Sequence, residues 1–368
     1  MKTFFSLLQI IPIFVLIGCG GNSSNYQPFP LSNIQTDFPE CDTLTFKKWQ
    51  TYDIKMKGVI MISDSGLWNF YDTPIDNLGD CYDLNTGEKL SSIATIGRAK
   101  NEVELDLNSI GIANDSMYIF YDERKLLKIF PLNDILNNVP VGERKVNMKQ
   151  FPDTLYMSGI TPLSDGSILS TLSFNFNPNL LDSKEITPSV AIINDTSIKT
   201  YQTINYDSYS INLHEDQSLS VNNFIKLNYA YGNVSAKGNS MAVLSVDRQA
   251  ILYTLDLTTG KVINEKRYTE MKCEGGGFLS QNDLDLNIVN LESNDDYIVC
   301  ILEGFMNEKE KKEKKQKRIL LVFDWNLNPI KCFSLPNPCI LSKDNPLAVF
   351  EFKMSDRGLT LYNADLNL

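Results

Sequence analysis

The sequence predicts an all-β fold, a six-bladed β-propeller whose ring is closed by an N-terminal strand pairing with the last blade. Three observations predict it. Short segments rich in Val, Ile, Leu, Tyr and Phe alternate with Asn, Asp, Gly and Ser clusters, as strands bounded by turns do. A turn motif recurs at intervals that suit four-stranded blades. The last copy of the motif is cut short, while a strand-like stretch lies unassigned before the first.

The recurring motif is a turn pair, an apolar run and a distal Asp. It reads DSGLWNFYDT at 64–73, DSMYIFYDERK at 115–125 and NSMAVLSVDRQ at 239–249. The first and last of these lead into a second turn, DLNTGEKL at 83–90 and DLTTGKVI at 256–263, where Gly87 and Gly260 suit a left-handed hairpin position. Weaker copies read SDGSIL at 164–169, SNDDYIV at 293–299 and SDRGLTL at 355–361. Taking Asp64, Asp115, Asp165, Asn239, Asp295 and Asp356 as the turn residues gives steps of 51, 50, 74, 56 and 61. Insertions at 175–188, 205–223 and the lysine-rich stretch 307–318 account for the longer steps. That lysine-rich stretch has no apolar face and reads as a charged loop or a short solvated helix.

After Asp356 only about a dozen residues remain, enough for one strand and its turn. The sixth blade therefore lacks its outer strand. Asp42 to Asp53 supplies a spare one, and pairing it with the sixth blade removes the open edge of a linear array.

Ahead of the propeller, the chain opens with Lys2 and an apolar run from Phe4 to Ile17. That run is too short and interrupted to span a bilayer core of about 30 Å, which takes ~20 residues, and it matches a secretory h-region. It ends Leu16-Ile17-Gly18-Cys19, which resembles the lipobox of bacterial lipoproteins. The resemblance implies that residues 1–18 are a signal peptide and that Cys19 is cleaved at, acylated and held in a lipid bilayer. Residues 19–40 read as a polar, glycine-rich tether, and residues 41–368 as a single propeller domain.

Composition bounds the partners. The formal net charge is −11, or −12 once Lys2 leaves with the signal, which argues against nucleic acid as a partner. Six cysteines follow Cys19: Cys41, Cys81, Cys273, Cys300, Cys332 and Cys339. An oxidising compartment permits pairing. Cys332 and Cys339 could meet across the loop holding Pro336 and Pro338, or the thiols could be buried and unpaired.

Together the lipobox, the short tether and six degenerate blades resemble the TolB-like six-bladed propeller lipoproteins of Gram-negative bacteria. In that family a glycine-rich stretch similar to GRGPGEF often follows the first blade. The matching place here reads Ile96-Gly97-Arg98-Ala99-Lys100-Asn101-Glu102-Val103. Gly97, Arg98 and Glu102 fit, whereas the later glycines and the proline are missing. The resemblance implies a cell-envelope location, in the outer membrane rather than the inner, and no general activity.

Catalytic chemistry is sparsely supplied. His214 is the one histidine, so a histidine metal cluster lacks ligands, and no GxSxG, HExxH or P-loop pattern occurs. Gly275-Gly276-Gly277 lacks the lysine and helix of a phosphate cradle. Asp283, Asp285 and Asn287 alternate along an extended stretch and could offer oxygens to Ca²⁺, but the glycine and closing Glu of an EF-hand loop are missing. Neither a metal nor a cofactor is expected. Asp122-Glu123-Arg124 and Asp247-Arg248 repeat an Asp followed closely by Arg at a strand end, which reads as a salt bridge or as rim arginines reaching a ligand. Arg98, Glu102, Arg124 and Arg248 are thus the candidate binding residues. The expected function is a binding or protein-interaction module for a protein, peptide or glycan. The alternative is a carboxylate-dependent glycan lyase or hydrolase, which needs only two suitably spaced acids.

Overall fold

The computed structural model describes residues 38–54, 58–74, 76–104, 109–121, 124–152, 157–172, 190–194, 197–201, 231–246, 250–268, 286–305, 312–313, 316–355, 358–366 and 368. The chain first lays down β1 (Cys41–Thr43) and β2 (Lys47–Tyr52). Blade 1 then follows as β3 (Gly58–Ser63), β4 (Gly66–Tyr71), β5 (Gly79–Tyr82) and β6 (Lys89–Ser92). Blade 2 is β7 (Ser109–Ala113), β8 (Ser116–Tyr121), β9 (Leu126–Pro131) and β10 (Asn147–Gln150). Blade 3 is β11 (Met157–Pro162), β12 (Ile168–Leu172), β13 (Val190–Ile193) and β14 (Ile198–Tyr201). Blade 4 is β15 (Tyr231–Lys237), β16 (Met241–Val246), β17 (Ile251–Asp256) and β18 (Val262–Arg267). Blade 5 is β19 (Leu286–Ser293), β20 (Ile298–Gly304), β21 (Lys317–Phe323) and β22 (Pro329–Leu335). Blade 6 contains β23 (Cys339–Leu341), β24 (Ala348–Ser355) and β25 (Gly358–Asp365).

Each blade is an antiparallel meander, and the first strands of neighbouring blades pack on one another around the axis. Apolar faces of neighbouring blades make a core in five of the six seams among the described residues. Trp68, Ile93, Met117 and Ile119 fill the seam of blades 1 and 2, while Leu252, Ile288, Cys300 and Leu321 fill that of blades 4 and 5. The alternation of large apolar residues within each strand places one set on each side, as the period of two requires.

Closure follows the expected route. β2 pairs antiparallel with β25 as the outermost strand of blade 6, in the order β2-β25-β24-β23. Side chains lock it from blade 1: Trp49 Nε1 and Tyr52 Oη both donate to the Leu84 carbonyl, at 2.9 and 2.6 Å, and Gln50 Nε2 donates to Thr86 O. The N-terminal segment does one thing more. β1 adds to blade 5 as a fifth strand, parallel to β22, and Cys41 forms a disulfide with Cys332. The Cys332–Cys339 pairing weighed from sequence is therefore corrected: Cys339 is a free, buried thiol on the innermost strand of blade 6, whereas Cys332 lies on the outermost strand of blade 5.

The expected turns are in place with one correction. Asp64, Asp115, Asp165, Asn239 and Asp295 all lie between the first and second strands of their blades. The sixth copy instead falls at the hairpin of Ser355 and Gly358, between β24 and β25, the second and third strands of blade 6, with Asp356 itself outside the described residues. The equivalent first turn there is 342–347, which contains Asp344. The two second turns match closely. Asp83 accepts from the Asn85 and Thr86 amides, Asp256 from those of Thr258 and Thr259, and Gly87 and Gly260 sit at φ 75° and 70°. A short helix not foreseen, α1 (Leu132–Leu136), follows Pro131 and buries Leu132 and Ile135. At five residues it is too brief to show a helical period in sequence.

Candidate functional site

An up-and-down blade sends its connections to two ends. The turns after the first and third strands share one end, here called the base. The turns after the second strand and the crossovers to the next blade share the other, the mouth. The base is knitted together by its first turns. Asp64 N–H donates to Asp344 Oδ2 at 2.7 Å, Asn114 Nδ2 to Leu163 O at 2.9 Å, and Ser164 Oγ to Asn239 Oδ1 at 3.0 Å. Lys237 Nζ donates to Asp295 O, and Lys343 Nζ pairs with Glu292. First turns and the strand ends beside them thus bond blade to blade across five of the six seams among the described residues. Burial pushes the Glu292 carboxyl above its ordinary value, against the pull of Lys343.

The mouth is built differently, from unequal connections that span 173–189, 202–230 and 269–285 in blades 3 to 5 and shorter stretches elsewhere. Three of the four candidate binding residues belong to mouth connections: Arg98 and Glu102 lie in the crossover from blade 1 to blade 2, and Arg124 between β8 and β9. Arg248 is outside the described residues, as are Asp122, Asp247, His214, Gly275 to Gly277, Asp283 and Asp285. So are residues 1–37 with Cys19.

The crossover from blade 1 is a compact hook. Gly97 N–H donates to Val103 O at 2.9 Å, and the Glu102 carboxylate folds back to accept the Ala99 N–H at 2.8 Å. A Cβ on residue 97 would stand 2.0 Å from Glu102 Oε2, so glycine is what lets the carboxylate close the hook. Beneath it Lys128, 3% exposed, donates to Ala99 O at 3.1 Å and Glu102 O at 2.6 Å. Burial lowers the Lys128 pKa; Glu104 opposes this, Arg124 adds to it, and Glu102 opposes it. Arg124 makes a two-pronged ion pair with Glu104, both contacts at 2.5 Å. Arg98 is exposed at the tip of the hook. Glu102 and Arg124 are thus spoken for by the loop itself, and Arg98 faces solvent.

Sequence reasoning passed over the polar seam between blades 5 and 6. One row crosses blade 5 as Asn287, Glu303 and Arg318, paired strand to strand. A second crosses blade 6 as Cys339, Glu351 and Tyr362. Glu303 pairs with Arg318 at 2.5 Å; Glu351 accepts from Asn337 at 2.7 Å and pairs with Lys353 at 2.8 Å. Burial first, then the Glu351 charge, pushes the Cys339 thiol up to about 12, while Arg318 pulls it down. The hint available in sequence was Glu351 and Lys353 inside the otherwise apolar strand AVFEFKMS.

Among the described residues, no helix is long and apolar enough to cross a membrane. No protein-family model and no curated protein matches the sequence. Solved structures do. A Bacteroides fragilis protein described as exported superposes with a TM-score of 0.50 at 11% identity, over 88% of this chain and 95% of its own. A member of the DUF4221 family from Bacteroides vulgatus gives 0.49 at 8% identity, over 88% and 96%. At such identities the first likeness shows the fold, a six-bladed propeller, and nothing about a ligand.

Proposed function

We propose that the chain is a lipid-anchored cell-envelope protein of a Gram-negative bacterium, acylated at Cys19 and held in the outer membrane, whose propeller is a binding module with its ligand at the mouth. The observation that carries the binding reading is the inequality of the two ends. The base is bonded from blade to blade, whereas the three longest stretches between strands, 173–189, 202–230 and 269–285, leave from the mouth, and connections set on a rigid scaffold are where recognition concentrates. The Cys41–Cys332 disulfide supports an oxidising compartment outside the cytosol, in keeping with the exported protein of like fold. The TolB-like resemblance agrees with this reading.

The test has two arms. Cys19→Ala in a bacterial host should move the protein from the membrane fraction to the soluble one, and intact-mass analysis of the wild type should show the acyl chains. Membrane-extracted wild type, incubated with envelope extracts, should retain a protein, peptide or glycan, and substitutions at the mouth should release it while substitutions at the base should not. An unmodified, soluble wild type overturns the anchor, and retention insensitive to the mouth overturns the module. A retained glycan that is shortened during incubation would replace the module by the lyase or hydrolase.

A further inference from the structure

The mouth has a gap in its inner rank of strands. In blades 1 to 5 the first strand pairs along most of the second. In blade 6, β23 pairs only with Val349 to Glu351, so Phe352, Lys353 and Met354 of β24 have no inner strand beside them. Lys353 and Met354 are exposed. The cause is in the sequence. β23 is preceded by Pro336-Asn337-Pro338, and a proline has no N–H to give to a ladder. The crossover from blade 5 therefore joins β23 low, which leaves a notch in the inner rank of strands above it.

β19 is the inner strand that packs beside β23, and two of its polar atoms are unpartnered toward the mouth. Asn287 and Asn290 would face opposite sides of a regular strand, being three residues apart. A β-bulge between Ile288 and Asn290 shifts the register, so that Asn290 pairs with Ile301 and Asn287 with Glu303. Ile301 belongs to the core shared with blade 6, while Ile288 and Leu291 belong to that shared with blade 4. Both amides therefore face blade 6. Their Oδ1 atoms are buried and accept no hydrogen bond. Two residues on, Glu292 faces the same way and is paired with Lys343. Polar groups on this row are satisfied at the base and unsatisfied at the mouth.

We infer that this notch between blades 5 and 6 is a binding site for a neutral saccharide, whose hydroxyl groups donate to Asn287 and Asn290. The inference rests on the binding-module reading and names its ligand class. Neutrality follows from the neighbouring charges, which cancel in place: Glu303 on Arg318, Glu351 on Lys353. What the site lacks is donors, and a hydroxyl-rich ligand brings them without a charge to neutralise. Buried acceptors left unpaired weigh against the fold, and a bulge that turns two of them to one side re-aims side chains as bulges beside binding sites do.

The test uses the full chain in detergent with neutral gluco-, manno-, galacto- and xylo-hexaoses, and uronate hexaoses as the charged arm, read by calorimetry. At least one neutral hexaose should bind. Asn287→Leu and Asn290→Leu should each weaken it about tenfold, the worth of one hydrogen bond, without lowering the melting temperature of the free protein. Binding should also slow hydrogen exchange in 286–293 and 348–355 of the wild type and leave the base turns unchanged, a readout that needs no variant. The inference is overturned if no neutral hexaose binds, if uronates bind better, if the leucine variants bind as wild type, or if a crystal structure with hexaose shows only water on the two amides. A non-glycan partner retained from envelope extracts regardless of these substitutions would also overturn it, and would leave the binding module standing.

Discussion

Breaking the bond between Cys41 and Cys332 should lower stability chiefly by freeing the unfolded chain. The two cysteines lie 291 residues apart, and loop-closure entropy for such a span is worth roughly 5–6 kcal/mol in the chain-entropy treatment. Removing native disulfides usually costs less, about 2–5 kcal/mol, and ~3 kcal/mol is the working figure here. In the folded state little else changes, because β1 is a three-residue strand at the outer edge of blade 5 and β2 keeps its own ladder to β25. For a domain of roughly 330 residues, an unfolding entropy near 2.1 cal/mol/K per residue turns ~3 kcal/mol into a drop of about 4 °C. The assay is a pair of thermal melts with and without reductant, beside a Cys41→Ser/Cys332→Ser double variant. The reduced wild type should melt with the double variant, and reductant should not move that variant further. A non-reducing peptide map should join the peptides of Cys41 and Cys332. A map joining Cys332 to Cys339, or melts that ignore reductant, would refute the reasoning.

Other consequences are local. Gly260→Ala should destabilise more than Gly87→Ala, although both residues occupy the same turn. Each substitution strains a left-handed backbone by about 1 kcal/mol, but a Cβ at 260 would also stand 1.8 Å from the Tyr201 ring, against 3.0 Å from Gln50 at 87; equal midpoints in denaturant would refute the packing. Burial raises the Glu292 carboxyl above 4.5, so its protonation favours the fold. That contribution is complete below the unfolded pKa and is lost as pH rises through the folded one. Glu292→Gln should therefore gain on wild type as pH climbs from 4 to 7, and a flat difference in melting temperature would contradict this. Lys343→Met leaves that carboxylate unpaired and should cost about 2 kcal/mol at neutral pH, below the usual 3–5 because Lys343 is partly exposed; denaturant titration checks it. Burial first, with Asp83 and Asp80 adding, pushes the Cys81 thiol up to about 12, so iodoacetamide at pH 8 should spare it until the protein is unfolded, as mass spectrometry would show.

What could be read in the sequence, and what could not, divides along a physical line. The first turns were legible because Asn, Asp, Gly and Ser are chosen there for backbone reasons: Asn114 and Asp115 sit at φ 49° and 54°, where other side chains clash. The same chemistry misled at the sixth copy. Ser355 and Gly358 close a tight hairpin between β24 and β25, and hairpins of either register draw on the same residues. Composition could not tell them apart, but spacing could: Asp344 lies 49 residues after Asp295, nearer the shorter steps than the 61 to Asp356. Closure was legible because a missing strand and a spare one must meet. The disulfide was not, since a partner 291 residues away leaves no local trace, and nearness in sequence pointed to Cys339 instead.

The site residues were hidden for a related reason. A lysine such as Lys128 reads as solvated until its carbonyl partners are known, and those sit on a loop more than twenty residues earlier. Asn287 stood out only beside Asp283 and Asp285 as an oxygen that could face Ca²⁺, Asn290 not at all, and strict alternation would have sent one of the two into the core shared with blade 4. Only the bulge brings them to one side, and a bulge is set by how two strands settle against each other rather than by either strand alone. The recurring part of this propeller is therefore what its sequence repeats, while its mouth is made where the repeat gives way: at two prolines that shorten β23 and at one residue too many in β19.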